Sequence, residues 1–168
     1  MKSHSDVVII GGGIVGSSIA YALASKGSSV TVIERDSIGS HASGFALGLL
    51  NPTNETGNIE TLNHLSFNIH KQQLDIVQDE SGVDAHVLTM PHIELALEES
   101  EIPALKVEVA RINEFSGFKS SWLEPDEVRK IEPRITEDNY GGVLVEDVIV
   151  LDSYNLTLAT AQAAEAHG

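Results

Sequence analysis

Three glycines, Gly11, Gly13 and Gly16, constrain this chain more than any other feature, because of what stands on either side of them. Asp6-Val7-Val8-Ile9-Ile10 is a continuous apolar run, rich in β-branched residues. Such a run suits a strand buried on both faces, as in a parallel sheet. Ile14 to Lys26 reads as a helix, with Ile14, Ser17 or Ser18, Tyr21 and Ala24 or Ser25 recurring on one side, and Gly27 is its predicted stop. Val30-Thr31-Val32-Ile33 is a second buried strand that closes at Glu34. The whole is a βαβ unit of about 30 residues, which requires parallel strands joined by a right-handed crossover. The fold class is therefore α/β, beginning with a Rossmann-like unit.

Each part of this fingerprint has a physical task. Gly11 makes the tight turn out of the strand. Gly13 lacks a Cβ and lets a pyrophosphate approach the backbone, and Gly16 lets helix and strand pack closely. The first N–H groups of the helix, those of Ile14 and Val15 among them, face a bound phosphate, assisted by the helix dipole. Glu34 can accept hydrogen bonds from both hydroxyls of an adenosine ribose. A carboxylate there repels a 2′-phosphate, which disfavours NADP. The motif by itself does not choose between NAD and FAD.

Composition narrows the classes further. The chain has 168 residues and no cysteine, so disulfides, thiolate nucleophiles and Cys-based zinc or iron–sulfur sites are excluded. The formal charge of -15 is unevenly placed. Through Thr53 the charges are Lys2, Asp6, Lys26, Glu34, Arg35 and Asp36, which cancel, while 22 acids face 7 bases beyond it. An acid excess of this size speaks against nucleic acid or an anionic membrane surface as partner. No run of about 18 apolar residues exists to span a bilayer. A cytoplasmic protein is the expectation.

Beyond the βαβ unit, residues 37–54 are small and polar, suiting a loop or short helix start that something can approach closely. Asn58 is the predicted cap of a long helix over about 59–81, with Leu62, Leu65, Ile69, Ile76 and Val77 at helical spacing and Gly82 at its end. Val87-Leu88 and Ile93 to Leu97 read as two strands, Ile102 to Phe115 as a helix, and Pro125 to Ile131 as a short helix begun by its proline. Val143 to Val145 and Val148 to Val150 read as two more strands with a turn at Glu146-Asp147, and Ser153 to Ala166 as a final helix.

These residues, taken together, resemble the FAD-dependent D-amino acid oxidase superfamily, and most closely its branch of glycine oxidase, sarcosine oxidase and related amine dehydrogenases. The resemblance is carried by the stretch from Asp6 to Gly27, by Val30 to Asp36, by Gly39-Ser-His-Ala-Ser-Gly44 and by Gly48-Leu-Leu-Asn-Pro52. Trp122 to Arg134 resembles the family's "L-x-x-x-E-V-x-x-x-E-P" segment, and Gly141-Gly-Val-Leu with Asp152-Ser-Tyr a later one. It implies that Gly11, Gly13 and Gly16 hold the FAD pyrophosphate, that Glu34 binds the ribose with Arg35 beside the adenine, and that Ser40, Ala42 and Ser43 contact the pyrophosphate and ribityl side. Gly48 and Leu49 would run close to the flavin ring. Some relatives attach flavin through a histidine at the position of Phe45, so non-covalent FAD is expected here. His41 is read as loop surface. At Ser153 relatives usually have proline.

The implied reaction is oxidation of the C–N bond of a small amino acid or secondary amine by hydride transfer to flavin. The resemblance implies that the family's Arg and Tyr that grip the substrate carboxylate lie in a C-terminal part, so this chain is expected to be an N-terminal part and no catalytic residue is assigned. The expected organisation is an FAD-binding part at 1–57, a partial substrate domain at 58–150 and a helix at 151–168 returning to the first part. A small amine or amino acid is the expected substrate, with a complementing chain or a homo-oligomer as further partners. An NAD-dependent dehydrogenase and a chain inactive alone remain the alternatives. His64 and His70, six apart, lack the spacing of a helical metal pair. The acid clusters lack EF-hand spacing, and no metal is expected.

Overall fold

The computed structural model describes residues 4–51 and 57–168. Lys2 and the stretch Pro52, Thr53 and Asn54, where the sequence reading ends the loop and divides the charge, lie outside the described residues. The chain forms two compact units, one of residues up to Leu88 with Val150–Gly168, the other Thr89–Ile149.

The first unit opens with β1 (Val7–Ile10), α1 (Ile14–Ala24) and β2 (Val30–Ile33). β1 and β2 pair in parallel, with Val7 opposite Val30 and Ile10 opposite Ile33, as the βαβ pattern requires. α1 covers the face that carries Ile9, whose Cγ2 lies beside Gly16. The expectation of burial on both faces does not hold, since Val8, Ile10 and Ile33 are exposed, Ile10 at 88%. Side chains alternate across a strand, and no helix among the described residues of this unit covers the second face. α1 ends at Ser25, and the left-handed Gly27 (φ +87°) turns the chain towards β2.

After a loop and the two-residue strand β3 (Leu49–Leu50), a single 3₁₀ turn at Gly57–Ile59 leads into α2 (Glu60–Ser81). The cap position belongs to Ile59, and Asn58 sits inside the 3₁₀ turn. Gly82 ends the helix in the left-handed conformation. The buried side of α2 carries His64, Phe67, Leu74 and Val77. Leu62, Leu65, Ile69 and Ile76 are exposed instead. Both stripes have helical spacing, and packing against α5 (Ser153–Ala166) selected the one with the aromatic ring. α2, which the sequence reading groups with the substrate part, thus packs within the first unit. α5 lies between α1 and α2, with Ala159 and Ala163 fully buried beside Ser17, Ala20 and Ala24 of the unit's core. Small side chains allow the close helix approach. The buried hydroxyls of Thr157 and Thr160 are satisfied by donating to the carbonyls of Ser153 and Leu156, each at 2.8 Å.

The second unit has β6 (Gly142–Val150) between β4 (Leu88–Leu95) and β5 (Ser120–Leu123), with α3 (Ile102–Asn113) and α4 (Pro125–Ile131). Residues 88–95 are one strand running through Pro91, and β4 is an edge strand, the place in a sheet where proline is tolerated. Residues 142–150 are also one strand. Asp147, at φ 59°, bends it where a turn was expected, a conformation that aspartate tolerates better than most residues. β5 was not read from the sequence. It is antiparallel to β6, with Trp122 opposite Val143, and Asn113 brackets its start by bonding both the N–H and the carbonyl of Ser120. α4 begins as expected, with Pro125 in its first turn and a capping box between Glu124 and Glu127. Val128, Val143 and Ile112 are the largest fully buried side chains of this unit.

Candidate functional site

The site is assembled at the carboxyl end of β1. The chain leaves the strand at Gly11, whose φ of +107° is open only to glycine and whose N–H donates to the carbonyl of Ile33 at 2.8 Å. Gly12 then donates its N–H to Glu34 Oε2 at 2.7 Å, and Asp36 donates its own to Oε1 at 2.9 Å. The Glu34 carboxyl is therefore held below the ordinary carboxylate range, first by the Gly12 N–H and next by that of Asp36. A carboxylate has about four lone-pair sites, so these bonds leave it capacity for a further donor. The carboxylate locks the glycine turn to the tip of β2 and still faces outward as a hydrogen-bond acceptor.

Gly13 is the cap residue of α1 and offers no side-chain cap. The Ile14 N–H instead donates to Ser43 Oγ at 3.0 Å. A Cβ at Gly13 would meet that same oxygen at 2.9 Å and little else. A Cβ at Gly16 would lie closer than 3.0 Å to the carbonyl oxygen of Gly11, so helix and strand meet backbone to backbone there. Residues 37–45 fold back over this turn as a series of tight turns, tied by the Gly39 N–H to the carbonyl of Gly12 at 3.0 Å. Ser40 Oγ is buried without a hydrogen-bond partner. Val15 is exposed at the start of α1.

The structure thus brings together Gly11, Gly13, Ile14, Val15, Gly16, Glu34, Ser40 and Ser43. Four other residues read from the sequence stand apart. Arg35 is exposed and pairs with Asp36 at 3.2 Å. Ala42 is exposed. Gly48, buried and at φ +76°, and Leu49 lie where the loop runs beneath the start of α5. His41 Nε2 lies 2.6 Å from Asp36 Oδ2 on the outer rim. The sequence reading missed Gly12 and Asp36 as the donors that set the Glu34 carboxylate. It also missed Ser153, whose hydroxyl donates to the carbonyl of Ala46 at 2.8 Å. Backbone donors leave no mark in a sequence, and neither does a contact across 107 residues.

An anionic dinucleotide fits these donors. The glycine turn admits a phosphate to the backbone, the helix start and two serine hydroxyls offer donors, and the orphaned Ser40 Oγ lacks the partner that a phosphate oxygen would provide. The Glu34 carboxylate supplies acceptors for ribose hydroxyls.

Comparison with known proteins agrees. The family model described as FAD dependent oxidoreductase (DAO) matches residues 6–168. The glycine oxidase of Bacillus subtilis (strain 168) is 28% identical over 173 residues, a match covering 100% of this chain and 45% of that protein. The crystal structure of glycine oxidase from Bacillus cereus ATCC 14579 superposes with a TM-score of 0.89 at 32% identity, over 98% of this chain and 45% of that one. Glycine oxidase from Geobacillus kaustophilus gives a TM-score of 0.90 at 27% identity, with the same coverage. This chain therefore spans about half the length of the relatives it matches.

Proposed function

Since this chain belongs to the FAD dependent oxidoreductase (DAO) family, we propose that it forms the FAD-binding part of an oxidoreductase acting on the C–N bond of a small amino acid or secondary amine. One observation carries the cofactor assignment. The glycine turn, the open start of α1, the two serines of the loop and the Glu34 carboxylate converge at one end of a parallel βαβ unit. Gly11 opens the turn and Gly13 and Val15 present backbone N–H groups to the pyrophosphate, while the Ile14 N–H fixes Ser43, which with Ser40 donates from the loop. Glu34 accepts from the ribose, and Gly48 and Leu49 pass beside the flavin ring. Bound FAD supplies a hydride acceptor for the carbon that carries nitrogen. The chain's own contribution is to orient the cofactor and to keep its phosphates on fixed donors. The identity of the amine rests on the glycine oxidases among its relatives.

The test is cofactor uptake by the purified chain. Added FAD is expected to lose fluorescence saturably and to gain a structured visible spectrum, with NAD failing to displace it. Glu34→Ala should weaken binding by about tenfold or more, since hydrogen bonds to a charged group contribute about 1.5–3 kcal/mol. No saturable change with FAD, or displacement by equimolar NAD, would refute the cofactor assignment.

A further inference from the structure

The start of α5 touches the cofactor loop in a way that the family resemblance does not account for. Leu151 donates its N–H to the carbonyl of Gly48 at 2.9 Å, and Ser153 donates its hydroxyl to the carbonyl of Ala46 at 2.8 Å. These two bonds fasten residues 46 and 48 of the loop to the chain at the entry to α5. Phe45 and Leu47, the residues between and before them, are each 85% exposed. At Gly48 the two backbones run so close that a Cβ there would fall closer than 3.0 Å to the carbonyl oxygen of Leu151. The Leu151 bond is a backbone bond that any residue could make. The Ser153 bond is the side-chain-specific half of the fastening.

From this we infer that Ser153 is a positioning residue, a hydroxyl latch that sets the loop 45–48 in the conformation in which it meets the bound cofactor. The consequence for the cofactor rests on the FAD reading above, while the latch itself is a property of the chain without ligand. Ser153 occupies the first residue of α5, a position where proline suits the helix as well as serine does. The helix start itself is secured by Asp152, whose side chain accepts from the Asn155 N–H at 2.8 Å. Replacing Ser153 therefore removes the bond to Ala46 without removing the cap.

Two measurements on the whole chain separate the latch from its consequence. The first is the rate of chymotryptic cleavage at Phe45 and Leu47 without cofactor. Both side chains already face solvent, so cleavage reports how often the backbone is released. Ser153→Ala and Ser153→Pro should each raise this rate by about 2- to 10-fold, the population change expected for one neutral hydrogen bond, and Ser153→Thr should restore it. The second is FAD affinity by fluorescence titration, which should weaken by a similar factor in the alanine and proline variants and recover in threonine. Unchanged cleavage in both hydroxyl-free variants would overturn the latch. Raised cleavage with unchanged FAD affinity would overturn its role in positioning. A wild-type chain that takes up no FAD would refute the cofactor assignment and with it that role, while cleavage still decides the latch.

Discussion

Gly16→Ala places the close approach of helix and strand under direct test. On propensity alone the substitution favours the helix, because alanine is better than glycine inside a helix by about 0.8–1 kcal/mol. The structure reverses that sign. The new Cβ would lie closer than 3.0 Å to the Gly11 carbonyl oxygen, at 3.2 Å from its carbon and at 3.3 Å from Ile9 Cγ2. The obstructing atom is backbone and cannot rotate away. It is held at the start of a turn that is pinned by the Gly11 N–H to Ile33 and by the Gly12 N–H to Glu34. Relief requires α1 to move off β1, and overpacking of this kind costs about 1–3 kcal/mol. Because the overlap is with backbone, the upper part of that range applies, about 2–3 kcal/mol, and less the helix gain the net destabilisation should be about 1–2 kcal/mol, a fall in Tm of about 2–8 °C for a chain of this size. Gly12→Ala is the internal control, because its nearest obstacle is the terminal methyl of Ile38, the mobile end of a side chain. Urea and thermal denaturation of the three proteins decide the matter. A Gly16→Ala chain as stable as wild type, or no less stable than Gly12→Ala, would show that the backbone contact does not hold helix and strand in place.

Two further outcomes follow from the electrostatics. The Glu34 carboxyl titrates lower in the folded chain than in the unfolded one. Its stabilising contribution is complete above the unfolded value and is lost as the pH falls through the folded value. The drop in Tm on acidification from neutral pH should therefore be shallower in Glu34→Gln than in wild type, and parallel curves would count against the two backbone bonds. In the second unit, the Arg134 guanidinium donates to Glu132 and lowers its carboxyl to about 2. In Arg134→Ala a carboxyl NMR titration should find Glu132 moved up towards 4.5, and a value still near 2 would remove Arg134 as the cause.

The βαβ unit and its cofactor turn were legible in the residues because they are local. The strand, the three glycines, the helix and Glu34 occupy one short segment, and each residue type does its work through its own backbone freedom or its own charge. The limits of β1, β2 and α4 follow from the same local rules. Tertiary contacts decided the rest. Both stripes of α2 satisfied helical periodicity, and only the packing against α5 showed that Phe67 and Leu74 go inward while Leu62 and Leu65 do not. Strands 88–95 and 142–150 were divided in the sequence reading at Pro91 and Asp147, because an edge position and a left-handed bend cannot be inferred without neighbours. The same holds for the cofactor loop. Its small residues announce that something comes close, but its conformation is set by Ser153 and Leu151, more than a hundred residues away. A sequence records which groups can bond, and the fold alone brings those distant in the chain within reach of one another.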